Sequence, residues 1–195
     1  MAVVARGTAV HYRLARSSDA QAVATLHADS WRRHYRGAYS DAFLDGDVTA
    51  DRLAVWIDRL RNAHPNHATI VAERDGTVVG FAHTIVDDDP VWGALIDNLH
   101  VAHALRRHGI GRRLLAASAR FVVKRTPSAG LYLWVLEQNQ AAQNFYEALG
   151  GRSVERCRAL PPGGDPARLD GTPFRLRYVW PDLSVLLSRA CADLC

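Results

Sequence analysis

Two glycines in the middle of the chain, in Arg106-x-x-Gly109-x-Gly111, constrain the fold more than any other feature. They follow an apolar run, residues 93–101. They precede Ile110, Leu114, Leu115, Ser118 and Phe121, which share one side of a helix. The segment therefore reads as strand, tight turn, helix. A helix N-terminus presents unpaired N–H groups and about half a positive charge, so it attracts anions. Glycine there removes the Cβ atoms that would hold a phosphate away from the backbone. Arg106, Arg107, Arg112 and Arg113 add positive charge around the turn. It is not a dinucleotide turn, since Gly-x-Gly-x-x-Gly is absent, and no Gly-Lys-Ser/Thr follows as in a P-loop.

Periodicity and turn signals assign the rest. Residues 10–15 read as an edge strand. Ser18-x-x-Gln21 resembles a capping box that opens a helix running to about His34, broken by Gly37. Residues 38–48 read as a polar, turn-rich segment. Leu53, Trp56, Ile57 and Leu60 have helical spacing, ended by His64-Pro65. Two β-rich runs flank Asp75-Gly76, a strong hairpin signal. Asp87, Asp88 and Asp89 read as a solvated loop before Pro90. Residues 131–136 are a buried strand, and 139–149 a helix ended by Gly150-Gly151. A final strand pair spans 153–160 and 173–180, and residues 182–192 read as a short terminal helix. The order argues for a mixed α/β sheet with helices on both faces.

Composition narrows the class. A chain of 195 residues is expected to be one domain with a real core. It has no apolar run long enough to span a membrane and no signal-peptide core, so a cytoplasmic location is expected. Three cysteines do not make a disulfide framework; Cys191 and Cys195, four apart, would share a helix face as small apolar side chains. The net charge is +4, and Lys124 is the only lysine. That arginine bias fits a GC-rich, bacterial genome. The arginines are dispersed, which disfavours a nucleic-acid partner, while the patch at the glycine turn suits a polyanionic ligand.

The strand–Arg-x-x-Gly-x-Gly–helix order resembles the acetyl-CoA pyrophosphate motif of the GCN5-related N-acetyltransferase (GNAT) family. Asn139-x-x-Ala142-x-x-Phe145-Tyr146-x-x-x-Gly150 is similar to that family's second CoA motif. The resemblance extends along nearly the whole chain. It implies a single-domain GNAT fold: a mixed, mostly antiparallel seven-stranded sheet, helices on both faces and a splayed central strand pair. That domain would span residues 10–182, after an N-terminal leader (1–9) and before a C-terminal helical tail (183–195). It implies acetyl-CoA as co-substrate, no metal, and direct acetyl transfer to a primary amine of a small molecule or protein. A non-catalytic acyl-CoA sensor or partner-binding module is the alternative. A homodimer is left open.

The resemblance also assigns residues. The backbone of Leu99, His100 and Val101 would hold the pantetheine arm as an added strand. Arg106, Arg107, His108, Gly109, Ile110, Gly111 and Arg112 would cradle the pyrophosphate. Asn139 and Ala142 would flank the cofactor, although asparagine is also a good N-cap on structural grounds alone. Tyr146 lies two helical turns beyond Asn139. Its phenol is protonated at neutral pH, so it can act as general acid toward the departing thiolate. A packed aromatic is the plainer reading. Trp31 and Tyr35 share a helix face. They would form a wall of the acceptor site, suited to a cationic amine, or else pack onto the sheet. Gly151 stands where the family carries an aromatic, at an expected cost in packing. The general base is open. Asp97 leads, then His100 and Glu137, with a water chain as another route. Strand alternation puts Asp97 and His100 on opposite faces. Residues 31–48, 87–92 and 161–173 would line the acceptor.

Overall fold

A computed structural model describes residues 9–126 and 130–191. Most of the expected leader, and the shared face expected of Cys191 and Cys195, lie outside the described residues and side chains. Seven strands form one sheet: β1 (His11–Leu14), β2 (His67–Arg74), β3 (Thr77–Asp89), β4 (Gly93–Val101), β5 (Leu131–Leu136), β6 (Arg152–Arg158) and β7 (Phe174–Trp180). Their spatial order is β1-β2-β3-β4-β5-β7-β6. All pairs are antiparallel except β4 with β5. The helices are α1 (Ala20–His34), α2 (Asp41–Asp45), α3 (Val48–Arg61), α4 (Ile110–Val123), α5 (Gln140–Ala148) and α6 (Leu183–Cys191).

Helices cover both faces, as expected. Val23 and Ala24 of α1 and Trp56 of α3 pack on Val71 and Phe81. On the other face Leu115, Ala119 and Val122 of α4, with Leu183 and Leu186 of α6, pack on Ala94, Ile96, Leu131 and Leu133. The hairpin turn has Asp75 at φ 51° and Gly76 at φ 74°. Paired positive φ values are what a right-twisted two-residue turn needs, and Asp-Gly adopts them at little cost.

Three local expectations change. Residues 38–48 contain α2, because Leu44 is fully buried beside Ala28 and Trp31 and a helical turn delivers it there. The acidic run is not a loop but the end of β3. Asp88 accepts from the Tyr132 hydroxyl, and Asp89 pairs with Arg177 at 3.0 Å. A donor from β5 and a cation from β7 thus hold two of these carboxylates, while Asp87 and Asp88 stay exposed to solvent as expected. At the start of α1 the expected Ser18/Gln21 box gives way to Asp19. Its carboxylate accepts the Arg16 N–H at 2.7 Å and binds Arg13 at 2.7 Å.

Gly151 also differs. A Cβ built there would lie 2.6 Å from the ring of Trp180. Trp180 is buried and its indole N–H donates to the Leu149 carbonyl at 3.0 Å. No packing is lost, because the indole fills the space. We expect Gly151→Ala to lower stability by about 1–3 kcal/mol through overpacking. Urea denaturation would show it as a lower midpoint with unchanged slope.

The site is created where β4 meets β5. They pair only through Ala94–Leu131, Leu95–Tyr132 and Ile96–Leu133. Beyond that, residues 97–101 and 134–136 diverge. The cause lies on the other edge of β4, where Thr84 pairs with Ile96 but His83 with Asn98. Asp97 is the extra residue of a β-bulge. A bulge bends its strand and raises its twist, which turns the end of β4 away from β5.

Candidate active site

The bulge also reverses the side-chain phase of β4. Without it, Asp97 and His100 would take opposite faces, as alternation predicts. Instead both meet the α1/α3 layer. Asp97 accepts from Arg59 of α3 at 2.6 Å. The His100 imidazole contacts the Ser30 hydroxyl of α1 at 2.8 Å and stacks near His27, ring centres 4.6 Å apart.

The splay opens a cleft lined by Tyr35, Ile96, Asp97, Asn98, Leu99, His100, Leu133, Trp134, Val135 and Tyr146. Five residues singled out from sequence therefore meet in one place: Tyr35, Asp97, Leu99, His100 and Tyr146. Tyr146 is buried and packs edge-on against Phe145 and Trp180. Burial, then the nearby Tyr35 phenol, pushes its ionisation well above the ordinary phenol range. Its hydroxyl has no hydrogen-bond partner among the described residues. A neutral O–H thus stands on the cleft wall, available to a ligand.

Other expected residues sit around this cleft. Asn139 caps α5, its side-chain oxygen accepting the Ala142 N–H at 3.2 Å. Trp31 does not line the cleft. It is buried behind Tyr35, stacked on it at 5.5 Å, with the Arg52 guanidinium 4.4 Å from its ring centre. Glu137 lies outside the cleft lining and is held by Arg156 at 2.7 Å, which keeps its carboxyl below the usual range. Burial lowers His100 to about 3, so the imidazole is neutral at physiological pH. Asp97 is then the only carboxylate lining the cleft among the described residues.

The glycine turn lies at the α1 end of β4. Gly109 is the N-cap of α4 at φ 75°, preceded by Arg107 at φ 66°. The first bond into the helix is from the Arg113 N–H to the Gly109 carbonyl. The amides of Gly109, Ile110 and Gly111 thus lack that bond, as helix N-termini require. A Cβ at Gly109 would meet nothing within 4 Å, so the glycine leaves open space beside the backbone. The Ile110 side chain is buried, leaving only its backbone for a ligand. Arg106, Arg107 and His108 are exposed. Arg106 contacts His34 at 3.2 Å, and the His108 ring bonds the Arg106 carbonyl at 2.9 Å. An anion cradle at the end of an open strand edge fits a long ligand with phosphate at one end and amides along its arm.

Sequence reasoning missed Trp134 and Arg59. Trp134 gave only the alternation of a buried strand. Arg59 gave only one more charge on an amphipathic helix. No group of three potential metal ligands occurs among the described residues.

Comparison with known proteins agrees with this geometry. Residues 28–151 match the model of the acetyltransferase (GNAT) family. The chain is 31% identical over 147 residues to "Probable N-acetyltransferase Rv2775" of Mycobacterium tuberculosis, covering 71% of this chain and 77% of that protein. It is 32% identical over 120 residues to an N-alpha-acetyltransferase of Sulfurisphaera tokodaii, covering 55% and 70%. The PaiA N-acetyltransferase of Thermoplasma acidophilum, solved in complex with coenzyme A, superimposes with a TM-score of 0.64 at 19% identity, over 88% of this chain and 99% of that one. The matched segment contains the splayed strand, the glycine turn and α5, so the chain belongs to the GNAT family of acetyltransferases and uses acetyl-CoA.

Proposed function

We propose that this enzyme acetylates a primary amine by direct attack, with both substrates held in the β4/β5 cleft. The observation that carries the reading is the unpartnered Tyr146 hydroxyl, between the splayed strands. Acetyl-CoA supplies the activated acetyl group and a thiolate leaving group. The unpaired edge of Leu99, His100 and Val101 binds its amides, and the turn from Arg106 to Arg112 binds its phosphates. Asn139 and Ala142 flank the arm. Tyr146 acts as general acid, with a proton that burial keeps in place.

Asp97 serves the acceptor. Arg59 holds its carboxylate in place at 2.6 Å, and as the cleft's only described carboxylate it attracts the ammonium and takes up the proton released on attack. His100 is neutral but has its Nδ1 tied to Ser30, which favours a role in shaping the cleft. Tyr35 forms the wall toward the acceptor, and Trp31 holds Tyr35 in place from behind. Holding both reactants side by side is itself a large contribution, since it replaces a chance encounter with an oriented one.

The test is thiol release from acetyl-CoA with a panel of amines. We expect release that depends on both acetyl-CoA and an amine and drops at least tenfold in Asp97→Asn. Tight acetyl-CoA binding without amine-dependent release would instead identify a cofactor-binding module.

A further inference from the structure

We infer that the acceptor carries a carboxylate at least about 10 Å from the amine that is acetylated, two strand spacings or more across the splayed β4/β5 pair, and that Arg175 binds it. The inference rests on the acetyltransferase reading above and adds the chemistry of the acceptor's far end.

Trp134 lines the cleft and is the platform for the argument. Two arginines of β7 lie over its indole, with guanidinium carbons 4.1 Å (Arg175) and 4.6 Å (Arg177) from the ring centre. Their charges are handled differently. Arg177 pairs with Asp89 at 3.0 Å and with Glu155 at 2.9 Å. Arg175 pairs with no carboxylate among the described residues. Its one side-chain hydrogen bond runs from Nε to the Cys157 Sγ at 3.4 Å. That bond and the indole hold the guanidinium still and leave its outer N–H groups open. It is half-buried and near Tyr39, whose phenol burial and then Tyr35 hold un-ionised, with Arg52 and Arg175 only partly opposing them. A stacked, pre-oriented guanidinium is the group best suited to grip a carboxylate through two parallel bonds.

The placement sets the ligand's length and polarity. Asp97 lies on β4, and Arg175 on β7, with β5 between them. An acceptor reaching from one to the other meets a carboxylate at its amine end, an indole along its body and a cation at its far end. This order suits an amine–acid and opposes a polyamine, whose second ammonium would face Arg175. A free α-amino acid is too short. An extended tripeptide, at about 3.3–3.6 Å per residue, is the shortest peptide that reaches this far.

The experiment compares Ala-Ala-Ala as free acid with its C-terminal amide, and with spermidine, in the wild type, Arg175→Gln and Arg175→Lys. Initial rates are read alongside calorimetric binding to the CoA-loaded enzyme. We expect kcat/KM for the acid to exceed that for the amide about tenfold to a hundredfold. Arg175→Gln should erase that ratio, and Arg175→Lys should keep part of it, with acetyl-CoA affinity unchanged in both. Ala-Ala-Glu-amide against Ala-Ala-Gln-amide then separates an acidic side chain on a longer chain from a free carboxyl end. Equal rates for acid and amide, a ratio that survives Arg175→Gln, or no binding of the acid would each overturn the inference while leaving acetyl transfer to other amines standing. Carboxylate- and Arg175-dependent binding without any acetylation would support it and overturn the catalytic reading instead.

Discussion

Tyr146→Phe should cut turnover about a hundredfold while acetyl-CoA binds as before. The variant removes one oxygen from a buried ring that packs through its edges and faces. The hydroxyl has no partner to lose among the described residues, so folding is spared. General acids contribute about 10²–10⁴-fold. The lower end applies here for a physical reason. Burial raises the phenol's ionisation well above that of a thiol, so complete proton transfer to sulfur is uphill. The hydroxyl acts chiefly by donating a hydrogen bond to the charge that builds on sulfur, in a cleft where such a bond is worth more than in water. The same burial gives a second signature. Wild-type rate should hold through pH 10, where an ordinary tyrosine is half ionised. Stopped-flow thiol release with calorimetric acetyl-CoA affinity checks both; unchanged turnover in the variant would remove Tyr146 from the chemistry.

The backbone geometry of the proposed donor half was legible in the sequence because it follows local rules. Gly109 and Gly111 announce a turn, Asn139 announces a helix cap, and a seven-residue step from Asn139 carries Tyr146 to the same helix side. These are local rules, and each survived folding. The acceptor half depends on things that local rules do not carry. Asp97 and His100 share a face only because a bulge inserts one residue between β3 and β4, and bulges leave little trace in the alternation of a strand. Trp31 satisfied the helical spacing of a cleft residue, yet the burial of Leu44 pulls α2 against it and covers it. The pairing of Asp88 and Asp89 was hidden because their partners, Tyr132 and Arg177, come from strands 44 and 88 residues away in the chain. Arg175 stands out only once every neighbouring charge has been paired.

Stability should fall steeply between pH 7 and pH 5, by at least about 4 kcal/mol. Three imidazoles, His27, His83 and His100, are buried in the layer between α1, α3 and the sheet. Burial lowers all three, His83 to about 4 and His100 to about 3, and His27 in the same direction. His27 has a further reason to stay neutral. Its Nδ1 accepts the Trp56 indole N–H at 3.0 Å, and protonation would set two donors against each other. Arg52 and Arg59 oppose a charge there as well. The sign follows from linkage. These groups hold their protons less tightly when folded, so the unfolded chain gains protons first as pH falls below about 6.5. The stability is complete above that pH and is lost on the way down toward the folded values. Each imidazole costs about 1.4 kcal/mol per pH unit in that window, or about 2 kcal/mol between 6.5 and 5. His83 and His100 together take about 4 kcal/mol of a typical domain's stability of 5–15 kcal/mol, and His27 adds to the loss in the same direction. The paired carboxylates do not blur the result, since Asp19, Asp51 and Glu137 are held below their ordinary range and titrate at lower pH. Urea unfolding followed by tryptophan fluorescence at half-unit steps measures the slope. His83→Gln should flatten it measurably, because one acid-sensitive group is gone while His27 and His100, and the less buried His34 and His67, which burial also lowers, remain. A flat profile from pH 7 to 5 would mean that the three imidazoles already charge in the folded enzyme, and that the cleft wall built on His100 is wetter than its packing implies.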